Sequence, residues 1–152
     1  MATYTRSLIL ILLIGFSAIL NGQTAEKTLL KSFNTGGLDR LIFELPGQAE
    51  VKVWENPTIR IQLNLALPNS NVGTLDELIR VGRYNLVSST ANGVFTVNSP
   101  NMGGKITIKG QELKEQVSFV VFVPKNTTVK VNGTEIVGDA TAYIRPPADH
   151  KE

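Results

Sequence analysis

Ile59-Arg60-Ile61-Gln62-Leu63-Asn64-Leu65-Ala66-Leu67 decides how the rest of this chain is read. Ile59, Ile61, Leu63, Leu65 and Leu67 recur every second residue, with Arg60, Gln62 and Asn64 between them. Successive side chains of an extended chain point to opposite faces, so the run predicts a half-buried strand with one apolar and one wet side. Upstream, Ala49-Glu50-Val51-Lys52-Val53 alternates in the same way, and Leu41, Phe43 and Leu45 share a face opposite Ile42 and Glu44. Pro46-Gly47 and Glu55-Asn56-Pro57 separate these runs as turns. A further strand is expected before them, over Thr28 to Phe33.

Downstream, one helix interrupts. Thr74 and Glu77 have capping-box spacing, Leu75, Leu78, Ile79 and Val81 supply an apolar stripe, and Gly82 is placed to end the helix. A helix of about two turns has no independent stability and must dock on the sheet. Strands resume over Tyr84–Ser88 and Val94–Asn98, with Asn92-Gly93 between them as the turn of a hairpin. Lys105 to Lys109 alternates again, and Gln111 to Gln116 is a polar connection. Val117 to Val123 has Phe119, Val120, Val121 and Phe122 in unbroken succession, which predicts a strand buried on both faces. Pro124-Lys125-Asn126 turns the chain, Val129 and Val131 begin a last alternating segment, and the pattern fades beyond Gly138. The fold class expected is all-β: a single domain of short antiparallel or solenoid-like strands, either a truncated β-solenoid or a β-sandwich, with one short helix near residues 75–81.

The N-terminus points to export. Arg6 is the one charge before a run from Leu8 to Leu20 that is apolar apart from Gly15 and Ser17. A spanning helix needs about 20 apolar residues, and this run is shorter. Small, polar residues follow at once, so residues 1–22 are expected to be a signal peptide cut between Gly22 and Gln23. Residues 23–140 then form the β-rich domain, and residues 141–152, with Arg145-Pro146-Pro147, a flexible tail. The chain has no cysteine, which excludes a disulfide framework, a thiolate metal site, a cysteine nucleophile and a lipidated N-terminal cysteine. The absence of disulfides in an exported domain favours a bacterial source. The expected location is the periplasm, the outer-membrane surface or the extracellular space. Without Arg6, Lys+Arg falls from 15 to 14 against 13 Asp+Glu. That balance gives no field to attract nucleic acid or an anionic membrane.

The inventory for catalysis is poor. His150 is the single histidine and sits in the tail, where a general base would have neither a fixed partner nor a shielded site. Ser88, Ser89 and Ser99 lack the strand–turn–helix setting of an activated serine. Glu44, Glu50 and Glu55 could project from neighbouring strands as paired carboxylates, but charge on the wet face of an alternating strand needs no catalytic explanation. Gly103-Gly104-Lys105 lacks the Ser/Thr and the helix of a phosphate loop and reads as a turn. Asn126-Thr127-Thr128 and Asn132-Gly133-Thr134 match glycosylation acceptors, which carry no weight in a bacterium without that pathway. No catalytic, cofactor-binding or metal-ligating residue is assigned, and no cofactor is expected. Trp54, the single tryptophan, continues the charged face of the Glu50/Lys52 strand and is the candidate surface contact; the competing expectation is that the helix covers it.

Lys31-Ser32-Phe33-Asn34, Leu41-Ile42-Phe43-Glu44-Leu45, Glu50-Val51-Lys52-Val53-Trp54-Glu55-Asn56 and Ile59-Arg60-Ile61-Gln62-Leu63 together resemble the opening of the auto-transporter adhesin head (GIN) family of secreted bacterial proteins. Val121-Phe122-Val123-Pro124-Lys125-Asn126-Thr127-Thr128-Val129-Lys130-Val131 resembles the strand–turn–strand of related β-solenoids, and Leu20-Asn21-Gly22-Gln23 looks like a Bacteroidetes signal ending. The likeness spans Lys27 to Ile136 and stops where the family continues with further β-coils. It implies a non-enzymatic, adhesin-like binding or structural module whose partners are cell-surface or envelope macromolecules, with no stable membrane insertion once the signal is removed. The family has no established catalytic residues to carry over. The alternative is a periplasmic carrier of lipid or another small ligand, with the Ile59–Leu67 strand as one wall of its cavity, or a hydrolase.

Overall fold

In the computed structural model the alternating run becomes one of the two longest strands and an inner strand of one layer of a two-layer sandwich. The structure describes residues 23–108, 110–136 and the backbone of 142–144. The signal segment, His150 and the rest of the expected tail lie outside the described residues. In chain order the elements are β1 (Ala25–Asn34), β2 (Arg40–Glu44), β3 (Gln48–Trp54), β4 (Thr58–Leu67), α1 (Val72–Arg80), β5 (Val87–Ala91) and β6 (Val94–Asn98). They continue with β7 (Thr107–Ile108), β8 (Gln111–Glu112), β9 (Gln116–Pro124), β10 (Thr128–Val131), β11 (Thr134–Ile136) and β12 (Ala142–Ile144).

The first sheet has the order β1-β4-β9-β3-β12, the second β11-β10-β2-β6-β5, and β7-β8 form a separate small pair. Neither large sheet closes into a barrel. The β3–β9, β2–β10 and β2–β6 pairings are parallel, and the remaining pairings are antiparallel. Parallel neighbours need a crossover, and the chain provides it by passing repeatedly from one sheet to the other. It crosses from β2 to β3 through Leu45-Pro46-Gly47 and from β9 to β10 through Lys125-Asn126-Thr127.

At the first crossing two residues carry the geometry. Asn132 Oδ1 accepts from the Leu45 N–H and its Nδ2 donates to the Leu45 carbonyl, each at 2.8 Å. The side chain thereby continues the β10–β2 ladder one step past the point where β2 leaves the sheet. Gly47 lies so close to the start of β9 that a Cβ there would sit 2.7 Å from the Val117 carbonyl oxygen. A backbone oxygen cannot move aside, so only glycine fits. Asn132-Gly133 also makes the β10–β11 turn, and Asn92-Gly93 the β5–β6 turn, both residues of each pair having positive φ (48° and 84°, 51° and 74°). That is the backbone a two-residue hairpin requires, and the Asn92-Gly93 hairpin is the one expected from the sequence.

Both sheets feed one core. Ile59, Ile61, Leu63, Leu65 and Leu67 from β4, Ala49 and Val51 from β3, and Phe119, Val121 and Val123 from β9 meet Leu41, Phe43, Phe95, Val97, Val129 and Val131 of the second sheet. Phe33 and Phe95 make an edge-to-face contact across the layers, with ring centroids 6.2 Å apart.

Several local expectations shift. In β9 only Phe119, Val121 and Val123 are buried, while Ser118, Val120 and Phe122 are half-buried on the outer face. A central strand of a two-layer fold with nothing on its outer side has one dry face, and continuous apolar sequence does not change that. The helix begins earlier than the capping box suggested. Asn71 is the N-cap, its Oδ1 accepting from the Thr74 N–H at 2.9 Å, and asparagine caps as well as threonine does. At the other end Gly82 (φ 78°) N–H donates to Ile79 O and Arg83 N–H to Leu78 O, a complete Schellman closure. Val81 is exposed rather than part of the docking stripe, and Leu75 is the fully buried anchor. This closure turns Tyr84 and Leu86 into the core as loop residues, so β5 starts only at Val87. The alternation at Lys105 to Lys109 yields no more than the exposed Thr107–Ile108 pair. Finally, β12 pairs antiparallel with β3 (Ala142↔Val51, Ile144↔Ala49), so the domain continues past the boundary at 141 that the fading sequence pattern suggested. A two- or three-residue edge strand is too short to show a period.

Phe119→Ala should therefore cost about 3–5 kcal/mol, transfer plus cavity, and the half-buried Phe122→Ala roughly half of that. Asn132→Ala should cost about 1–3 kcal/mol, because it strands the buried Leu45 N–H, while the Leu45 carbonyl keeps the Gly47 N–H at 3.1 Å. Urea denaturation of the three variants measures all of these, and equal losses for the two phenylalanines would contradict the one-sided burial of β9.

Candidate binding face

The register of the first sheet lines up its outward side chains in rows. Thr28, Asn64, Ser118 and Gln48 form one row, Leu30, Gln62, Val120 and Glu50 the next, and Ser32, Arg60, Phe122 and Lys52 a third. Trp54 stands beyond them beside Pro124. No described element is layered over this face. α1 packs on β1, which β4 and β9 separate from β3, and sends Leu75 into the core beside it. The expectation that the helix covers Trp54 is thus corrected: the capped helix is anchored by Leu75 and by the Lys27–Asp76 ion pair (2.5 Å) on the far side of the sheet.

At one end of the face the indole of Trp54 is held three ways. Its ring packs on Phe122 with centroids 5.4 Å apart, the Arg60 guanidinium lies 4.9 Å from its centroid, and Nε1–H donates to the Thr58 carbonyl at 2.8 Å. A half-buried tryptophan with its N–H satisfied and a cation beside its π-system is a fixed apolar platform with a charged flank. Glu50 and Lys52 pair at 3.2 Å next to it.

The other end opens into a groove of about 1010 Å³, floored by Thr28, Asn64, Ser118 and Gln48 and rimmed by Pro46, Gly47, Met102 and Glu115. Thr28 Oγ1 and Gln62 Nε2 both donate to Asn64 Oδ1, at 3.1 and 3.0 Å. This fixes the amide of Asn64 with its nitrogen directed away from both donors.

A half-buried charge cluster holds the rim. Arg83 donates to Glu115 (2.7 Å) and to the carbonyls of Gly104 (2.6 Å), Met102 (3.3 Å) and Asn101. Tyr84 O–H donates to the other oxygen of Glu115 at 2.6 Å. The Arg83 and Glu115 side chains are only 11% and 15% exposed, so each is needed to neutralise the other. The cluster clips the 99–104 loop against the helix end, and Asn101 Nδ2 adds a bond to the Gly82 carbonyl at 3.0 Å. Burial, then the hydrogen bond to Glu115, pushes the Tyr84 hydroxyl well above the ordinary tyrosine range. Reading the sequence alone missed this cluster, because Arg83 and Glu115 are 32 residues apart and no spacing links them.

The other residues singled out in the sequence are dispersed. Glu44 lies on β2 of the second sheet, Glu50 on β3 of the first, and Glu55 in the β3–β4 turn, where it pairs with Lys125 at 2.5 Å. Ser88 and Ser89 are exposed on β5, whereas Ser99 is buried in the loop. Gly104 is a carbonyl partner of Arg83, and Lys105 reaches Glu112 at 3.3 Å.

Tyr84 gives the pH signature. Above the unfolded tyrosine value, about 10, the unfolded chain releases a proton that the native state retains, so stability falls as pH rises from there and is complete below it. Urea midpoints from about pH 9 upward should show this decline, and Tyr84→Phe should flatten it. Arg83→Met should cost about 3 kcal/mol at neutral pH by leaving Glu115 without its counter-charge.

No protein-family model matches the chain, and no curated protein matches its sequence. Among solved structures the fold is similar to a candidate cell adhesion protein from Clostridium sporogenes ATCC 15579, with a TM-score of 0.40 and 6% identity over 70% of this chain. This chain spans 45% of that protein's length, and a likeness of this size bears on neither family nor function.

Proposed function

We propose that the protein is an exported, non-enzymatic module of the bacterial cell envelope, related to adhesin heads, that binds other surface or envelope macromolecules. The outer face of the first sheet carries this reading. It combines the fixed Trp54–Phe122–Arg60 platform with an open polar groove, and no described element lies over it. Placing aromatic area and orienting amides on rigid strands lowers the ordering cost of capturing a partner. Export rests on the apolar run from Leu8 to Leu20 and its small, polar flank. The Gln23 carbonyl accepts a bond from the Ser70 N–H, so the fold takes hold of the chain immediately after the expected cut.

The carrier alternative is not favoured. Its cavity wall would be Ile59 to Leu67, whose inward side chains are at most 3% exposed. The opening that reaches them, at Ile61 and Leu63 beside Tyr84 and Leu86, holds about 230 Å³, short of the roughly 300 Å³ at which small-molecule pockets begin. A hydrolase using Glu44, Glu50 and Glu55 would need carboxylates that the fold separates between two sheets and a turn.

Immobilised mature protein should retain a component of an envelope-polysaccharide and surface-protein array, and Trp54→Ala should weaken retention by roughly tenfold or more, as central aromatic anchors do. Lys130→Ala, an exposed change on the second sheet, serves as the control and should leave retention intact. Retention indifferent to Trp54→Ala, or substrate turnover without a retained ligand, would overturn the reading. Protein recovered from its native envelope should begin at Gln23 or its cyclised form, and an intact Met1 or Ala2 would refute the cut.

A further inference from the structure

Two open five-stranded sheets have four edges, and three of them are blunted in recognisable ways. Exposed rows of unpaired N–H and C=O groups invite another strand, and natural proteins guard them with shortness, charge, proline, bulges or a covering element. β1 carries Glu26, Lys27 and Lys31 and has α1 docked against it. β11 and β12 are three residues each. β5, Val87-Ser88-Ser89-Thr90-Ala91, has none of these defences. All five residues are exposed, the register with β6 runs unbroken from Val87↔Asn98 to Ala91↔Val94, and no charge or proline interrupts it. The surroundings are equally bare of charge. From Tyr84 to Gly104 there is no Asp, Glu, Lys or Arg, in a chain that is 18% charged. Among the described residues none but β6 pairs with β5.

We propose that β5 is a self-association edge, where two copies of this chain pair antiparallel about a two-fold axis at Ser89 and join their second sheets into one. The strand is complementary to itself. In that register Ser89 faces Ser89, Ser88 faces Thr90 and Val87 faces Ala91, so hydroxyl meets hydroxyl and apolar meets apolar. Cross-strand Ser/Thr pairs supply hydrogen bonds, and the 46%-exposed Val87 gains cover. An interface whose patch is repeated on both partners is what closed two-fold symmetry requires. The uncharged stretch imposes no like-charge repulsion between copies, and it offers nothing to steer a charged foreign strand. The contact involves one short strand and little area, so the dimer is expected to be weak and concentration-dependent. It does not depend on what the first sheet binds.

Sedimentation equilibrium of the mature protein from about 10 μM to 1 mM should show dimer growing with concentration. Ser89→Lys places like charges opposite each other on the axis and should weaken association by roughly tenfold or more, as should Ser89→Glu. An equimolar mixture of the two variants should recover a heterodimer, which a merely misfolded variant cannot do. Amide exchange at Ser88–Thr90 should slow as concentration rises in the wild type and not in either variant alone. A monomer at every concentration, a dimer indifferent to Ser89→Lys, or a monomer whose β5 instead captures strand peptides of another protein would each overturn the proposal.

Discussion

The whole arrangement depends on the chain being able to leave one sheet for the other at Leu45-Pro46-Gly47. Two things make that passage possible. Gly47 has no Cβ to strike the Val117 carbonyl, and Asn132 supplies the acceptor that the departing Leu45 N–H would otherwise lack and a second donor to its carbonyl. A buried backbone group without a partner forfeits about as much as a core methylene or two contribute, so an unpartnered crossing would work against the packing it serves. Because the passage is tight, β2 and β3 lie in opposite sheets, and β9 and β10 make the reverse passage alongside them, β9 parallel to β3 and β10 parallel to β2. The parallel β3–β9 and β2–β10 pairings go with those two crossings.

Once the crossing is fixed, the first sheet has one face toward the core and one outward, and its chemistry divides accordingly. Inward, branched aliphatic side chains and Phe119 reach near-complete burial. Outward, Asn64, Gln62 and Thr28 satisfy one another instead of a covering layer. Trp54 would be an exposed hydrophobe in isolation, but Phe122, Arg60 and the Thr58 carbonyl fix its position on the strands. Holding such a ring in one orientation before a partner arrives removes part of the entropy that binding would otherwise cost.

Most of the strands were legible because period two survives wherever one face is wet, as at Ile59–Leu67, Ala49–Val53 and Leu41–Leu45. Where the sequence lost that contrast, the reading failed in a definite direction. Phe119 and Phe122 look alike in an apolar run, and only the absence of a layer beyond β9 separates them. Thr74 and Asn71 are both good caps, and the choice between them turned on a single bond to the Thr74 N–H. The candidate site was half legible. Trp54 was visible as an aromatic in a charged register, but its neighbours Phe122 and Arg60 became neighbours only through β3–β9 and β4–β9 pairing. The Arg83–Glu115–Tyr84 cluster left no trace, since a lone arginine after a helix and a glutamate in a polar stretch are what a solvated surface also shows.

The parallel centre has a consequence for the order of events in time. Hairpins such as β5–β6 join residues a few positions apart, and they form within microseconds once made. β3 and β9 instead join Gln48 to Ser118, and β2 and β10 join Arg40 to Thr128, spans of 70 and 88 residues. Contacts so distant along the chain incur their loop-closure entropy before they return any stability, which places the protein among slow folders. A chain synthesised from its N-terminus cannot close the middle of the first sheet until Pro124 has emerged, nor seat β10 on β2 in the second until Val131 has. Until then the centres of both sheets stay open, the condition in which a polypeptide can still be threaded through a narrow channel.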